Sequence, residues 1–488
     1  MLKTILARVP PRDARGAFLR GFGLALGIGL AIIFVVGPML GVCKGFGGRV
    51  HDGYLELGAN LAAGRGFVFE PGGPPSTHRP PLTPILLAPI TRLPRSGQRP
   101  ALILMHSLMV GATFFLLFDL ARKAFDARIA SGSIGLMLAY PWLFWHVKNP
   151  MSMITQMTCT MLVVHLIGSE LLESFRDGSA PRSRHWLLRA GLLGLAGAAA
   201  ILTHGTMLLS IPVLLLAVAA IGLRSHRRRL AAVAVLAGVV AVVAISPWSY
   251  RNWRVCRRFV PVVTGAGLQY FYGNALWGFD GHFTWQDRWE RALAMAGVED
   301  EPSRVVHFCG WKDPDLDREA NRRMLEDVAS HPARFAGKVA LNAIELYLPA
   351  IRDAITRTGP KGTTVRHLAL SAWHSVYWGL AVWGLWGLRR SRLRPRLWLI
   401  LGGIVALSVF YLPFVTMIGH SGYTLPTLPL LSVLASVGLL RRSAGADVPS
   451  RSGSGRVSGL PAPSHLDLNR SKDRSPAVTE AALPVGVD

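Results

Sequence analysis

Residues 227–248 read RRRLAAVAVLAGVVAVVAISPW, a basic triplet followed by an apolar run without a charged side chain. Apolar runs of about 18–24 residues are long enough to cross a bilayer as helices. Similar runs recur along the 488-residue chain, in which 51% of the residues are hydrophobic and only 17% are charged. This composition excludes a series of soluble domains, a coiled coil, a collagen and a disordered chain. The sequence therefore predicts an all-α polytopic membrane protein.

We predict about ten transmembrane helices from these runs. They cover residues 20–42, 99–120, 128–146, 151–173, 187–204, 206–223, 230–248, 367–388, 397–413 and 421–440. The first run is longer than the apolar region of a signal peptide, and Gly41-Val42-Cys43 is a poor cleavage site. We therefore expect this run to remain as the first span.

Short loops that are rich in arginine and lysine alternate along the chain with short loops that carry almost none. Basic clusters precede the first span and follow the second, fourth, sixth, eighth and tenth spans, as in Arg227, Arg228 and Arg229. Because cytoplasmic loops are enriched in basic residues, both termini are expected in the cytoplasm of a plasma (inner) membrane protein. Two long loops, residues 43–98 and 249–366, then face outward. The second contains half of the 28 acidic residues, which predicts a small folded region of mixed structure, with an amphipathic helix at 334–348 near the membrane surface.

These boundaries give two predicted parts: a transmembrane domain over residues 1–440 and a disordered cytoplasmic tail over residues 441–488, which is rich in Ser, Pro, Gly and charge. The formal charge is +25, from 53 basic and 28 acidic residues. Most of the basic residues lie in short loops between spans, so we expect no nucleic-acid partner. The four cysteines include no Cys-x-x-Cys pair, which gives no support for a zinc or redox site.

Polar residues with possible chemistry collect at the predicted outer face. Residues 53–63 favour a short helix that Gly64 and Gly66 end, with Asp52 at its N-cap. Capping alone would explain Asp52. Arg79 precedes two prolines, which hold its backbone extended and then start a helix. Arg79 and Arg251 suit a lipid phosphate, although anchoring at the lipid head groups would also place them at this depth.

Other groups in these regions are open to two interpretations. His106, His165, His204 and His374 interrupt the spans, and we expect them to hydrogen-bond neighbouring helices. Cys256 and Cys309 both lie in the second outer loop, either as a disulfide or as two unrelated buried thiols.

Four stretches, taken in order, resemble the GT-C fold of membrane glycosyltransferases, and most closely the dolichyl-phosphate-mannose-protein mannosyltransferase-like family, which includes the lipid A aminoarabinose transferases. The stretches are DGY at 52–54 with NLAAGRGF at 60–67; RPPLTP at 79–84; PWSYRN at 247–252 with YGN at 272–274; and YTLPTLPL at 423–430. Each stretch is weak alone, but their order and sidedness cover nearly the whole chain to residue 440.

The resemblance implies an enzyme that moves a sugar from a polyprenyl-phosphate donor to an envelope glycan, lipid or protein at the outer face of the bilayer, with inversion. It implies that Asp52 is the catalytic base. Arg79, Arg251 and then His78 are the candidates for binding the donor phosphate. Possible substrate-binding residues are His51, Tyr54, Glu56, Asn252, Tyr270, Asn274, His420 and Tyr423. No cofactor is certain; a divalent metal held by His51, Asp52 and Glu56 stays open.

Three positions depart from residues that many relatives carry. Thr155-Gln156 stands in place of Thr-Glu, His204 in place of an arginine, and Gly422-Tyr423 in place of Arg-Tyr. A transporter or flippase of lipid-linked sugars, or an inactive family member in glycan assembly, are the alternatives. A transporter predicts internal repeats and broken helices, and the sequence shows no convincing repeat.

Overall fold

The computed structural model describes residues 53–176, 186–274, 285–296, 305–306, 310–311, 314–348, 363–387, 394–413 and 421–444, together with Gly23, Gly27 and Ala31. Apart from these last three residues, the predicted first span at residues 20–42 lies outside the described residues. Residues 1–442 cluster into one compact unit.

Helices make up almost all of this structure, so the all-α prediction is confirmed. The first nine described helices are α1 Tyr54–Ala62, α2 Leu82–Thr91, α3 Arg95–Ala124, α4 Ala127–Leu138, α5 Pro141–Val147, α6 Met153–Arg176, α7 Trp186–Ile201, α8 Met207–Arg224 and α9 Arg228–Cys256. The later ones are α10 Ala266–Asn274, α11 Trp285–Ala296, α12 Pro314–Ser330, α13 Pro332–Tyr347, α14 Thr363–Gly387, α15 Arg394–Ser408 and α16 Leu428–Ala444. Short 3₁₀ helices cover Val409–Tyr411 and Ser421–Thr424.

Four helices are long and apolar enough to cross a membrane: α3, residues Met153–Ser174 of α6, α8 and α9. The shorter α2, α4 and α7, with Arg396–Tyr411 and Leu428–Leu440, are also apolar. The side chains that these helices expose on the surface of the bundle include Leu216 on α8, 67% exposed, and Val242 on α9, 68% exposed. Apolar side chains of this kind are stable against lipid, which marks the chain as an integral membrane protein.

Three predicted boundaries are wrong. The span predicted at 128–146 is divided into α4 and α5, because Pro141 starts a new helix after an extended Tyr140. Helix α9 continues past Trp248 to Cys256 despite Pro247, so Arg251 lies in a helix and does not begin a loop. Helix α16 runs to Ala444, past the predicted end of the last span at residue 440.

Close helix packing depends on glycine at two crossings. A Cβ on Gly194 of α7 would lie 2.6 Å from the Ala237 carbonyl oxygen of α9. A Cβ on Gly384 of α14 would lie 2.8 Å from the backbone nitrogen of Gly438 in α16. Small residues let membrane helices approach closely enough for backbones to touch, since lipid supplies no hydrophobic force between helices.

The region between α9 and α14 has its own small core. Leu268 and Phe271 of α10 pack with Ala292 and Leu293 of α11 and with Ala320 of α12. A two-stranded antiparallel ladder accompanies these helices, with β1 (Val305–Val306) paired to β2 (Gly310–Trp311) in the register Val305↔Trp311. The predicted helix at 334–348 is α13, and its Lys338 and Asn342 are buried, which the sequence did not predict.

Candidate functional site

Helix α1 starts at a glycine. Gly53 is the N-cap, with φ of 69° in the left-handed region, and no side chain caps the helix. The prediction that Asp52 caps it is therefore wrong, because the chain turns into the helix one residue later. Asp52 and His51 lie outside the described residues. The predicted end of the helix is confirmed: Gly64 and Gly66 both have positive φ, at 72° and 85°.

Residues 64–78 form a loop that we call the rim segment, and helix α1 fixes its fold. Asn60 donates from Nδ2 to the carbonyl oxygens of Val68 (2.7 Å) and Phe69 (3.1 Å). The segment closes on itself through an isolated bridge between Val68 and Pro75. Asn60 is buried, so its amide stabilises the loop that leads to Arg79.

Arg251 ties the rim segment to α9. Its Nη1 donates to the Ser76 carbonyl and to Asn252 Oδ1 (3.0 Å), and its Nη2 donates to the Phe67 carbonyl (3.4 Å). The guanidinium also lies 4.8 Å from the centre of the Trp248 ring. These contacts give Arg251 a positioning role, and its direct contact with a phosphate stays a prediction.

A second set of contacts joins the rim segment to the chain that follows α9. The Thr264 amide donates to the Thr77 carbonyl (2.9 Å), and the two hydroxyls are 3.1 Å apart. Cys256 is a free, buried thiol whose sulfur is 3.5 Å from Thr77 Oγ1. The disulfide to Cys309, which lies outside the described residues, is therefore not formed in this structure.

Asn252, predicted to bind substrate, is fully buried in the same junction. Its Nδ2 donates to the carbonyl oxygens of Val260 (3.3 Å) and Val262 (2.9 Å). Trp248 donates from Nε1 to the same Val262 carbonyl (2.8 Å). The asparagine thus holds the turn after α9.

Arg79 and Tyr54 are brought together at the junction of α1 and α2. The guanidinium carbon of Arg79 lies 5.4 Å from the centre of the Tyr54 ring, within cation–π range. Pro81 is the N-cap of α2, as the two prolines predict, and the Leu82 amide donates to the Leu202 carbonyl (3.0 Å) at the end of α7. His78 is buried beside them, and Glu56 of α1 is half-buried. The structure therefore gathers Tyr54, His78 and Arg79 in one neighbourhood.

Behind Tyr54 lies a group of side chains that we call the Tyr411 cluster: Gln156, His204, Tyr411 and Tyr423. Gln156 donates from Nε2 to Tyr411 Oη. The ring centre of Tyr411 is 5.3 Å from that of His204 and 5.4 Å from that of Tyr423. Two of these partners, Gln156 and His204, are positions at which the sequence departs from many relatives, and Tyr423 directly follows the third such position, Gly422.

The cluster is continuous with the Arg79 neighbourhood. Tyr54 donates from its hydroxyl to Ser152 Oγ (3.3 Å), one helical turn before Gln156. Tyr54 therefore connects the Arg79 cation to the segment of chain that carries Gln156. The sequence marked Gln156 only as a departure and His204 as a departure and a helix-packing residue, and it did not single out Tyr411, because no local pattern marks it.

Tyr270 lies elsewhere, in the small core between α9 and α14. Its hydroxyl donates to Asp327 Oδ2 (2.5 Å), and the buried Lys338 Nζ lies 4.0 Å from the centre of its ring. Asn274 is the last residue of α10. His420 lies outside the described residues.

Asp317 of α12 clasps this small core to the chain after α9. Its carboxylate pairs with Arg258 and accepts a hydrogen bond from the Gly265 amide (2.5 Å). Desolvation raises the pKa of Asp317 above its ordinary value, and the nearby Arg258 opposes that rise. These contacts of Asp317 hold α12 against the segment between α9 and α10.

The span histidines largely have the predicted packing roles. His106 Nδ1 is 2.9 Å from the Val147 carbonyl, and His165 Nδ1 is 3.1 Å from the Leu116 carbonyl. His374 Nδ1 is 2.9 Å from the Tyr347 carbonyl. His204 differs, since its Nδ1 contacts the nearby Thr206 hydroxyl (2.9 Å) while its ring faces Tyr411.

No group of three or more His, Cys, Asp or Glu side chains that could hold a metal occurs within the part of the chain that the structure describes. A metal held by His51, Asp52 and Glu56 stays a prediction, because two of the three residues lie outside that part.

Residues 78–250 match the family model for dolichyl-phosphate-mannose-protein mannosyltransferases. The match begins at His78, includes Arg79 and the Tyr411-cluster residues Gln156 and His204, and ends just before Arg251. It confirms the family resemblance and the glycosyltransferase class predicted from the motifs. Asp52 precedes the matched region, so the match does not bear on it.

Solved structures of two kinds are similar to the chain. ArnT from Cupriavidus metallidurans, bound to undecaprenyl phosphate, is 17% identical with a TM-score of 0.37; the similarity covers 87% of this chain and 79% of that one. The oligosaccharyltransferase AglB from Archaeoglobus fulgidus, with an inhibitory peptide and a dolichol-phosphate, is 12% identical with a TM-score of 0.47, covering 89% and 52%.

A third structure, the Archaeoglobus fulgidus oligosaccharyltransferase with Zn and sulfate, is 14% identical with a TM-score of 0.45, covering 88% and 51%. The chain thus spans about half the length of these archaeal enzymes. No protein of curated function matches the sequence.

Proposed function

We propose that this protein transfers a sugar from a polyprenyl-phosphate donor to a glycan, lipid or protein of the cell envelope. The reaction takes place at the outer face of the plasma membrane and inverts the anomeric carbon. The match of residues 78–250 to a family named for dolichyl-phosphate-mannose supports the class of donor. The charge bias of the short loops supports the orientation.

The observation that carries the proposal is the Arg79–Tyr54 pair beside the Tyr411 cluster. A polyprenyl-phosphate sugar presents an anion joined to a ring with hydroxyl groups and an apolar face. The Arg79 guanidinium, held 5.4 Å from the Tyr54 ring centre, suits the phosphate. The amide and the aromatic rings of the Tyr411 cluster suit the sugar, because binding sites combine apolar walls with a few placed polar groups.

Asp52 is the proposed general base. It precedes Tyr54 by two residues, which limits their Cα–Cα separation to about 7 Å. The carboxylate takes the proton of the acceptor hydroxyl as its oxygen bonds to the anomeric carbon. The bond from that carbon to the phosphate oxygen breaks, and the phosphate leaves with the electron pair. Arg79 stabilises the charge on the departing lipid phosphate.

The test is transfer by the purified full chain in nanodiscs, with a panel of radiolabelled polyprenyl-phosphate pentoses and hexoses and an envelope extract as acceptor. We expect one donor to be consumed, with release of polyprenyl phosphate, and mass spectrometry of a deletion strain to show loss of the same sugar. Movement of the donor across the bilayer without cleavage would contradict the proposal and indicate a transporter. Intact envelope glycans in a strain with Asp52→Asn, together with no donor cleavage by the purified wild type, would indicate an assembly subunit.

A further inference from the structure

Gln156 has a buried acceptor that the protein leaves unused. The side chain is fully buried in α6, and its Nε2 donates to Tyr411 Oη. Its Oε1 has no hydrogen-bond partner among the residues that the structure describes. Leaving a buried acceptor unpaired costs about 1–3 kcal/mol, which a ligand that donates a hydrogen bond would recover.

Neighbouring polar groups on α6 are satisfied by the protein itself. Thr160, one turn further along, donates from Oγ1 to the Gln156 carbonyl (2.8 Å), and Thr158 donates to the Ile154 carbonyl (3.0 Å). One turn in the other direction, Ser152 Oγ accepts from Tyr54. The polar side chains closest to Gln156 along the chain are therefore paired within the protein, whereas the Gln156 oxygen is not.

The surroundings of Gln156 indicate the chemistry of the missing partner. The rings of His204, Tyr411 and Tyr423 lie within 5.3–6.1 Å of one another, centre to centre, next to the amide. Aromatic faces beside a carboxamide oxygen are suited to a sugar ring, which offers C–H groups to the faces and a hydroxyl to the oxygen. The phosphate of the donor is ionised at neutral pH and has no hydrogen to donate, so it could not pair with Oε1.

We propose that Gln156 Oε1 accepts a hydrogen bond from one hydroxyl of the transferred sugar and so selects donors that carry this hydroxyl. The inference rests on the proposed function and adds a specificity-determining residue to it. Tyr411 fixes the amide by accepting from Nε2, which aims Oε1 at the sugar. A site built to bind a hydroxyl discriminates strongly against an analogue that lacks it, because the buried acceptor is then left unpaired.

The experiment compares Gln156→Met, Gln156→Glu and the wild type in nanodiscs, using the donor sugar identified by the panel and each of its monodeoxy analogues. We expect Gln156→Met to lower kcat/KM for the full sugar by about 10- to 100-fold. One monodeoxy donor should lower wild-type kcat/KM by a similar factor and show no further loss with Gln156→Met. Gln156→Glu keeps an acceptor and should retain this discrimination.

Thr160→Val is the matched control, since it removes a satisfied hydroxyl from the same helix, outside the cluster. It should leave the ratio of full-sugar to deoxy-sugar rates unchanged. If Gln156→Met fails to fold, Gln156→Asn withdraws the oxygen by one methylene and serves in its place.

Equal losses by Gln156→Met for all monodeoxy donors, with a lowered unfolding temperature, would overturn the inference and assign Gln156 to packing alone. A Gln156→Glu variant as unselective as Gln156→Met would also overturn it. In both cases wild-type transfer persists, and the proposed function stands. Absence of transfer by the wild type with every donor would instead refute the proposed function, and the inference with it.

Discussion

Arg251 donates a hydrogen bond from Nη1 to the backbone carbonyl of Ser76, 175 residues earlier in the chain. This contact, with those to Phe67 and Trp248, fixes the rim segment against α9. The two arginines that the sequence pairs as phosphate ligands thus have different surroundings, because Arg251 is engaged with backbone carbonyls and Arg79 lies beside the Tyr54 ring.

Arg251→Lys should lower the unfolding temperature of the purified protein. A lysine ammonium cannot reproduce the planar fork that reaches two carbonyls and an amide, and each such charged hydrogen bond is worth about 1.5–3 kcal/mol. Thermal unfolding followed by intrinsic fluorescence measures the change. Arg254→Lys, on the same helix turn, is the control. An unchanged unfolding temperature with weakened donor binding would show that Arg251 serves the phosphate alone.

Arg79→Ala should weaken donor binding while the fold persists. It removes a charge-assisted contact of about 1.5–3 kcal/mol, which corresponds to roughly 10- to 150-fold in Kd. Binding of polyprenyl phosphate alone, measured by microscale thermophoresis, isolates this term. Arg92→Ala, on an exposed arginine at the far end of α2, is the control. Equal affinities for the wild type and Arg79→Ala would remove Arg79 from the phosphate site.

Asp52→Asn should reduce turnover by about 100- to 10,000-fold, the range for loss of a general base. The amide preserves size and cannot accept the acceptor's proton, so polyprenyl-phosphate binding should be retained. Single-turnover transfer with saturating donor measures the effect. Near-normal transfer by Asp52→Asn would move the assignment to Glu56, which follows it by one helical turn.

Fusions of a sidedness reporter at residues 225 and 300 should give opposite signals. The loop at 225 follows α8 and is rich in arginine, whereas residue 300 lies in the long acidic region. A paired alkaline phosphatase and fluorescent protein series measures the orientation. The same sidedness at both positions would exclude the predicted topology.

Asp317→Ala should destabilise the region between α9 and α14. Removing one partner of a buried ion pair typically costs about 3–5 kcal/mol, because Arg258 is left uncompensated. Asp317→Asn keeps hydrogen bonding to the Gly265 amide and should cost less. Protease susceptibility of α12 in nanodiscs distinguishes local opening from global unfolding, and equal susceptibility for both variants and the wild type would contradict the clasp.

The sequence by itself determined the helical membrane class, the positions of most apolar helices and the family resemblance. These depend on local patterns: charge-free runs that must satisfy their backbone within a helix, and short motifs such as RPPLTP that set the backbone at Arg79. The wrong boundaries have the same cause, because they were predicted from local patterns alone. Whether α9 continues through Pro247, and whether α1 begins after Gly53, depends also on the residues packed against them.

Only the tertiary structure decided which polar residues meet. Gln156 and Tyr411 are separated by 255 residues and come from helices that no local pattern pairs. Arg251 and Ser76 are brought together in the same way across 175 residues. Burial makes these contacts energetically important. An amide oxygen that water would pair when exposed needs a specific donor once the surrounding helices exclude the solvent.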